Sequence, residues 1–102
     1  MQLIKQFCLL SFAVLALAGC CDEKRIPDHI QALYSSNPRE RNQATLDLAR
    51  CGSAAQRAVP RLIQMIYDEN VGVQSGAVYA LTRIDTTEAR AAVEAATRAR
   101  RK

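Results

Sequence analysis

Residues 37–52 have the sequence NPRERNQATLDLARCG, and this stretch decides the fold of the chain. Asn37 has a side chain that can cap a helix N-terminus, and Pro38 suits the first helical position because its missing N–H has no partner there. Apolar residues follow at steps of four and three: Ala44, Leu48 and Cys51. Gly52 is typical of a helix C-terminus. The stretch therefore predicts one amphipathic helix between two recognisable end signals.

A second copy of this pattern lies further along the chain. Residues 26–58 align without gaps over residues 59–91, a period of 33 residues. The matched pairs are Ile26-Pro27 with Val59-Pro60, Ile30-Gln31 with Ile63-Gln64, Leu33-Tyr34 with Ile66-Tyr67, Asn37 with Asn70, Ala44 with Ala77, Leu48 with Leu81, Arg50 with Arg83, and Arg57-Ala58 with Arg90-Ala91. Chance seldom gives so many coincidences in one register, so we interpret the chain as a repeat protein.

Each repeat unit is predicted to contain two helices. The first helix has Pro27 or Pro60 in its first turn and places an apolar face at steps of three and four: Ile30, Leu33 and Tyr34, with Ile63, Ile66 and Tyr67 in the copy. The recurring tyrosines are expected to pack at the seam between helices. In the second copy Asn70 caps a helix with the stripe Val73, Ala77, Leu81 and Ile84. Thr86 is a predicted cap for a last helix over 87–98.

These residues resemble the HEAT repeat, in its short bacterial form that is also called phycobilisome-lyase-like. The opening of the second helix, residues 37–44, fits the family pattern with Arg41 at the arginine position, whereas residues 68–77 have Gln74 there. Residues 52–62 (GSAAQRAVPRL) are similar to the linker between repeats. The resemblance implies an all-α fold, a short right-handed α-solenoid of about two and a half helix pairs following an N-terminal signal peptide.

The predicted domain boundaries follow from this register. The HEAT-like domain covers 26–98, with repeat 1 at about 26–58, repeat 2 at about 59–91 and a partial helix at 87–98. Residues 99–102 are assigned to a basic tail. Since stacks of this kind usually need at least three units, the domain is expected to be modestly stable or to gain stability from a partner.

The resemblance also implies particular site residues. In the family, an acidic residue in the loop often pairs with the arginine of the neighbouring repeat, so we expect Arg41 to approach Asp68 or Glu69. The family's binding surface lies on the concave side, which the second helices line. The exposed residues expected there are Arg39, Asn42, Gln43, Asp47, Gln74 and Ser75. These residues are expected to bind a protein partner that the sequence does not identify.

The N-terminal segment has the features of an export signal. Lys5 supplies positive charge, and residues 7–18 (FCLLSFAVLALA) form an uncharged apolar run. This run is short for a membrane span, which needs roughly 20 apolar residues. Residues 17–20 (LAGC) resemble the lipobox of bacterial lipoproteins. The resemblance implies that residues 1–19 are a cleaved lipoprotein signal peptide and that Cys20 holds a diacylglycerol and an N-acyl chain such as palmitate.

Other interpretations of this segment stay open. It is also compatible with an uncleaved transmembrane anchor or an ordinary signal peptide. Cys21 is a second thiol beside Cys20. If Cys21 were the acylated cysteine, Ala18 would occupy the position at which the lipobox has an aliphatic residue. Residues 20–25 are thus predicted to be the lipidated cysteine and a short charged tether. The protein would be exported and anchored in the cell membrane or the outer membrane, with its domain facing the periplasm.

The net charge of +4 does not indicate a nucleic-acid partner. Lys5 lies in the export segment, and the remaining excess is at the C-terminus: Arg98, Arg100, Arg101 and Lys102. These terminal charges have two interpretations. They complement the dipole at a helix C-terminus, or they attract anionic lipid or other envelope polyanions.

No residue pattern predicts catalysis, a metal site or a small-molecule substrate. His29 is the single histidine and is expected on an exposed helix face. Cys51 aligns with Ile84 and is expected to be a small buried core residue, with a disulfide to Cys21 as the alternative in an oxidising compartment. No cofactor is predicted beyond the covalent lipid on Cys20.

The sequence therefore predicts a non-enzymatic adaptor that binds protein partners in the bacterial cell envelope. One alternative is a structural subunit that folds fully only within a larger envelope complex. Another is an accessory to a lyase-type or other enzyme, which the phycobilisome connection of related repeats suggests.

Overall fold

The computed structural model describes residues 21–102. The predicted signal peptide, residues 1–19, and Cys20 lie outside the described residues. Within the described range, five α-helices follow in chain order: α1 (Ile26–Ala32), α2 (Pro38–Cys51), α3 (Val59–Met65), α4 (Val71–Ile84) and α5 (Thr87–Arg101). Two 3₁₀ segments, Glu23–Arg25 and Gly52–Ala58, precede α1 and α3. The pairs α1–α2 and α3–α4 with the single α5 confirm the all-α fold class. No helix among these residues is long and apolar enough to cross a membrane.

The helix ends follow the sequence signals. The Asn37 side chain accepts a hydrogen bond from the Arg39 backbone N–H at 2.9 Å, and the Asn70 side chain accepts one from the Val73 N–H at 3.0 Å. Thr86 caps α5 in the same way. Each cap satisfies an N–H that has no partner within its helix. At the C-terminus of α2, Gly52 adopts φ +55°, which is costly for a residue with a Cβ.

The two second helices, α2 and α4, pack in parallel. In their N-terminal halves, Gly76 of α4 lies against Asn42 and Thr45 of α2. At their C-terminal ends, the Cβ position of Gly52 lies 3.8 Å from the carbonyl oxygen of Arg83. Since like ends meet, the two helices run in the same direction and place corresponding residues of both repeats side by side.

A single apolar core runs through both repeats and is closed by α5. Its largest fully buried apolar side chains are Leu33, Leu48, Leu62, Met65, Leu81, Ile84, Val59 and Val73. Burying each of the larger ones contributes about 1.5 to 3 kcal/mol relative to leaving it exposed. The predicted stripe of α4 is therefore confirmed, as are Ala44 and Leu48 of α2. The core is continuous because α2 packs directly against α4, so the buried stripes of the two units adjoin.

The expectation for the recurring tyrosines is wrong. Tyr34 and Tyr67 are 59% and 69% exposed. The first helices α1 and α3 end at Ala32 and Met65, before each tyrosine, so the chain has already turned out of the helix. Leu33 and Ile66, which precede the tyrosines, occupy the core instead.

The last helix is longer than predicted. It continues through Arg101 and takes in most of the segment that was assigned to a basic tail at 99–102. Ala and Arg are strong helix formers, and no glycine or proline follows Thr97 to stop the helix. The arginines of its last turn lie at the negative end of the helix dipole, where positive charge is favourable.

Cys51 is not the buried core residue that its alignment with Ile84 predicted. It is half-buried and forms a disulfide with Cys21, with 4.8 Å between the two Cα atoms. The bond closes a loop with a sequence separation of 30 residues. In the chain-entropy model such a loop contributes about 3 to 4 kcal/mol of stability.

The predicted tether at 20–25 is therefore not a free linker over the residues that the structure describes. Cys21 is held against α2, and the Asp22 side chain accepts a hydrogen bond from the Lys24 N–H at 3.1 Å. Residues 23–25 then form the 3₁₀ turn that leads directly into α1. Two local constraints, a disulfide and a capped turn, thus fix the segment on the domain.

Substituting Gly76 by alanine is expected to destabilise the domain. The added Cβ would collide with the side chains of Asn42 and Thr45, and it would lie 3.3 Å from the Thr45 Cβ. Overpacking of this kind costs about 1 to 3 kcal/mol, and the better helix propensity of alanine offsets up to about 1 kcal/mol of it. We predict a net loss of about 1 to 2 kcal/mol in the free energy of unfolding, measured by urea denaturation.

Ser75→Ala is the matched control, because Ser75 is the neighbouring residue of α4 and is exposed. It should be neutral or slightly stabilising, since alanine has the higher helix propensity. Equal stability of the Gly76→Ala and Ser75→Ala variants would show that α2 and α4 are not in close contact at this point.

Candidate functional site

An ion pair between Arg41 and Asp68 links the two repeats. The Arg41 Nε donates to Asp68 Oδ2 at 3.1 Å, and Nη2 donates to Oδ1 at 3.0 Å. The two side chains are only 10% and 11% exposed. A two-point contact of this kind between a guanidinium and a carboxylate fixes direction as well as distance. The structure thus brings together the pair that the family pattern predicted, and selects Asp68 over the exposed Glu69.

Further hydrogen bonds hold both partners in place. Arg41 Nη1 donates to the Ser35 carbonyl oxygen at 2.9 Å, and the Asn70 N–H donates to Asp68 Oδ1 at 2.9 Å. Burial by itself would raise the pKa of Asp68. The hydrogen bonds from Arg41 and Asn70, with the positive charges of Arg41 and Arg61, outweigh burial and hold that pKa below its usual value. Asp68 is therefore ionised at neutral pH.

The contact between Arg41 and Asp68 has no equivalent one period later in the residues that the structure describes. Gln74 occupies the position equivalent to Arg41, and its side-chain amide donates to the Asp68 carbonyl oxygen. This bond repeats the one from Arg41 to Ser35, since Ser35 and Asp68 are also one period apart. Position 101, one period beyond Asp68, holds an arginine. Gln74 is shorter than an arginine and carries no charge, and the residue one period beyond Asp68 is not acidic. The ion pair of the first repeat is therefore not repeated at Gln74.

The predicted binding residues fall into three groups. Arg39, Asn42 and Ser75 lie on the side of α2 and α4 that is opposite the buried stripes, because a helix turns about 100° per residue. Tyr79, which is 51% exposed, lies on the same side of α4. We call these four residues the second-helix face. Arg39 and Ser75 are exposed, and Asn42 is half-buried beside Gly76.

Gln43 and Asp47 are not part of this face. They align with Gly76 and Ala80, which are buried where α4 packs on α2. In the first repeat the same side of the helix has no preceding repeat to cover it within the described chain, so Gln43 and Asp47 lie at the N-terminal end of the stack. There Gln43 donates to Asp47 at 3.1 Å. The structure therefore places these two residues apart from the second-helix face, at the end of the stack.

Gln74 is less exposed than predicted. It is half-buried, and its side chain turns back to the backbone of its own repeat at Asp68. Tyr79, in contrast, was missed, because only polar residues were expected on this surface. Two signals in the sequence point to it: its position four residues after Ser75 places both on one side of α4, and the repeat register pairs it with Leu46, another large apolar residue.

His29 is less exposed than predicted. Its side chain is 22% exposed, and Nδ1 lies 3.5 Å from Asp47 Oδ2. Over residues 21–102, no group of three or more His, Cys, Asp or Glu side chains is arranged to hold a metal ion. The contact with Asp47 joins α1 to α2 at the N-terminal end of the stack.

The tyrosines of the two loops have different surroundings. The guanidinium carbon of Arg61 lies 4.4 Å from the centre of the Tyr34 ring, and Arg61 Nη2 donates to the Leu33 carbonyl oxygen at 3.1 Å. This cation–π contact joins the loop after α1 to α3. Tyr67, at the equivalent position of the second repeat, lies beside α5, where it lines a cavity with Ala96 and Arg100.

Removing the charge of Asp68 is expected to destabilise the domain at neutral pH. Asp68→Asn leaves the guanidinium of Arg41 without its counter-charge in a mostly buried place, which should cost about 2 kcal/mol. Because the folded-state pKa of Asp68 is lowered, its contribution is present above the unfolded pKa and is lost as the pH falls through the folded pKa. The difference between wild type and variant should thus shrink below about pH 4.

Asp85→Asn is the matched control for this measurement. Asp85 pairs with Arg90 at 3.1 Å, but both side chains are more than half exposed. Exposed pairs contribute little, and asparagine tolerates the φ of +58° at this position. The control should stay within about 0.5 kcal/mol of wild type in urea denaturation across the pH range. An Asp68→Asn loss no larger than this would contradict a structural role for the ion pair between repeats.

Comparison with known proteins assigns a family. The family model for HEAT repeats matches residues 26–101. Searches of the curated proteins and of the solved structures give no match.

Proposed function

Because this chain belongs to the HEAT repeat family, we propose that it is a lipid-anchored adaptor that holds a protein partner at a membrane of the bacterial cell envelope. HEAT repeats are consistent with a role in protein interaction. The observation that carries the anchoring part is the segment 17–20, LAGC, directly after an uncharged apolar run. Acylation of Cys20 by two or three chains would give a durable anchor, since a single chain binds membranes only weakly. The proposed role is non-enzymatic.

The disulfide supports an exported location. Disulfides form and persist in oxidising compartments such as the bacterial periplasm and are rare in the cytosol. The bond between Cys21 and Cys51 joins the start of the described chain to α2. A domain of only two and a half repeat units has a small core. The disulfide adds stability that such a core does not supply.

The second-helix face has the composition of a protein-binding surface. Tyr79 and Arg39 are residue types that contribute most to binding energy in protein interfaces. Asn42 and Ser75 lie between them and offer short polar groups for hydrogen bonds. Both helices that support the face are fixed by the contact at Gly76 and by the Arg41–Asp68 ion pair. A rigid surface loses little entropy when a partner binds.

One observation favours a second function, that of a structural subunit within a larger complex. Within residues 21–102, two helix pairs are followed by the single helix α5. Repeat stacks usually need at least three units. Cooperative melting of the isolated protein would favour the adaptor, and a chain that is partly unfolded alone would favour the subunit.

The anchor is tested by Cys20→Ala. We predict that the wild-type protein remains with the membrane fraction in high salt and that the variant appears in the soluble fraction, because it lacks the acylated thiol. Cys8→Ala is the control, since Cys8 lies within the segment proposed to be cleaved and should leave the distribution unchanged. Membrane retention of the Cys20→Ala variant in high salt would contradict the proposed lipid anchor.

The binding face is tested by Tyr79→Ala. Crosslinking and affinity purification from membranes, with the lipidated wild-type protein as bait, would identify the partner, and the variant should capture it at least about tenfold less, as expected for an interface hot spot. Tyr67→Ala is the matched control, because it removes the same side chain from a site that is more exposed. Equal capture by both variants would contradict the assignment of the second-helix face.

A further inference from the structure

The disulfide determines which part of the domain lies nearest to the proposed lipid. The Cα of Cys21 lies 4.8 Å from the Cα of Cys51, the last residue of α2. Consecutive Cα atoms are about 3.8 Å apart, so an acylated Cys20 is one peptide unit away from this fixed point. The following inference rests on the proposed lipidation. With so short a connection, the domain has little freedom to choose the surface that it turns toward the bilayer.

The residues around this point form one edge of the repeat stack. We call it the linker edge and define it as residues 21–25, 51–58 and 83–88. Its parts are in contact: Gly52 lies beside the Arg83 carbonyl oxygen, and Gln56 lines a cavity together with Thr86 and Glu88. The C-terminal ends of α2 and α4 and the N-terminal end of α5 therefore meet here.

The opposite edge lies one helix length away. We call it the loop edge and define it as residues 33–37, 66–70 and 98–102. The N-terminal ends of α2 and α4 lie there, and Ile66 and Tyr67 line a cavity with Ala99 and Arg100 near the end of α5. A helix of 14 residues, such as α2, is about 21 Å long. The two edges are separated by roughly that distance.

We propose that the linker edge is the surface that the domain turns toward a phospholipid bilayer. Its exposed charged residues balance in number, with Lys24, Arg25, Arg57 and Arg83 against Asp22, Glu23, Asp85 and Glu88, so charge does not determine this orientation. The position of the anchor determines it, because the disulfide fixes the chain at Cys21 on this edge.

The basic residues of the loop edge take no part in this contact. Arg98, Arg100 and Arg101 in the last turn of α5 lie about 20 Å from the linker edge, and the Debye length at physiological ionic strength is about 8 Å. The structure therefore places the basic cluster at the C-terminus away from the proposed lipid. The disulfide, and not the number of charges, determines which edge faces the lipid.

This orientation has a consequence for partner binding. The C-terminal ends of α2 and α4 point toward the bilayer, so both helices extend away from it. The second-helix face, with Arg39 and Tyr79, then stands beside the membrane and not against it. A partner could reach this face without displacing lipid.

The orientation can be measured with tryptophan probes, since the chain has no tryptophan of its own. The variants Gln56→Trp on the linker edge and Tyr67→Trp on the loop edge replace exposed residues. Each full-length lipidated protein is reconstituted into vesicles of equal parts phosphatidylethanolamine and phosphatidylglycerol with a trace of dansyl-phosphatidylethanolamine. Energy transfer to the dansyl group should be several-fold greater for Gln56→Trp than for Tyr67→Trp.

Two sets of variants separate the causes. In the double variant Cys21→Ser with Cys51→Ser, vesicle binding should be unchanged but the difference between the two probes should shrink, because only the capped turn at Asp22 then holds the segment on the domain. The charge reversals Arg98→Glu with Arg101→Glu on the loop edge should leave the difference intact, because that edge lies away from the bilayer. Circular dichroism of each variant confirms that the helices are retained.

Each outcome bears on the inference. Equal transfer from both probes, or greater transfer from Tyr67→Trp, in protein that is bound to vesicles would overturn the orientation and leave the anchor standing. The same orientation in the double cysteine variant would overturn the role of the disulfide. Failure of the wild-type protein to bind vesicles at all would instead refute the lipid anchor, and the orientation with it.

Discussion

The close parallel packing of α2 against α4 is the contact on which the rest of the structure depends. A glycine at position 76 lets the two helices approach at Thr45, which is fully buried. The ion pair from Arg41 to Asp68 fixes the same register at the N-terminal ends of the helices. Because the two second helices are aligned in this way, their stripes form one core and their outer sides form one face. A shift of α4 by one residue along α2 would misplace both the core and the outer face.

Much of the fold could be predicted from the sequence because its signals are local. The caps at Asn37, Asn70 and Thr86 and the stripe of α4 depend on neighbours within one helix. The Arg41–Asp68 contact could be anticipated from the family pattern, although it joins two repeats. The exposure of Tyr34 and Tyr67 could not be predicted, because the repeat register does not indicate where a short helix ends.

The binding surface was harder to predict for a related reason. Equivalent positions in a repeat have equivalent backbones but different neighbours. Gln43 and Gly76 correspond, yet Gly76 packs on α2 while Gln43 has no preceding repeat beside it in the part of the chain that the structure describes. The disulfide presents the same difficulty, because Cys51 aligns with the core residue Ile84 and its true partner lies outside the repeats. That partner, Cys21, links the fold to the anchor that we propose.

The account joins two modifications on adjacent residues, a lipid on Cys20 and a disulfide from Cys21 to Cys51. Mass spectrometry of the membrane-extracted protein, digested with trypsin without reduction, tests both at once. We predict one covalent species in which residues 20–24 (CCDEK), acylated at Cys20, are joined to residues 51–57 (CGSAAQR). Recovery of residues 51–57 with a free thiol, or of residues 6–24 as one unacylated peptide, would contradict the account.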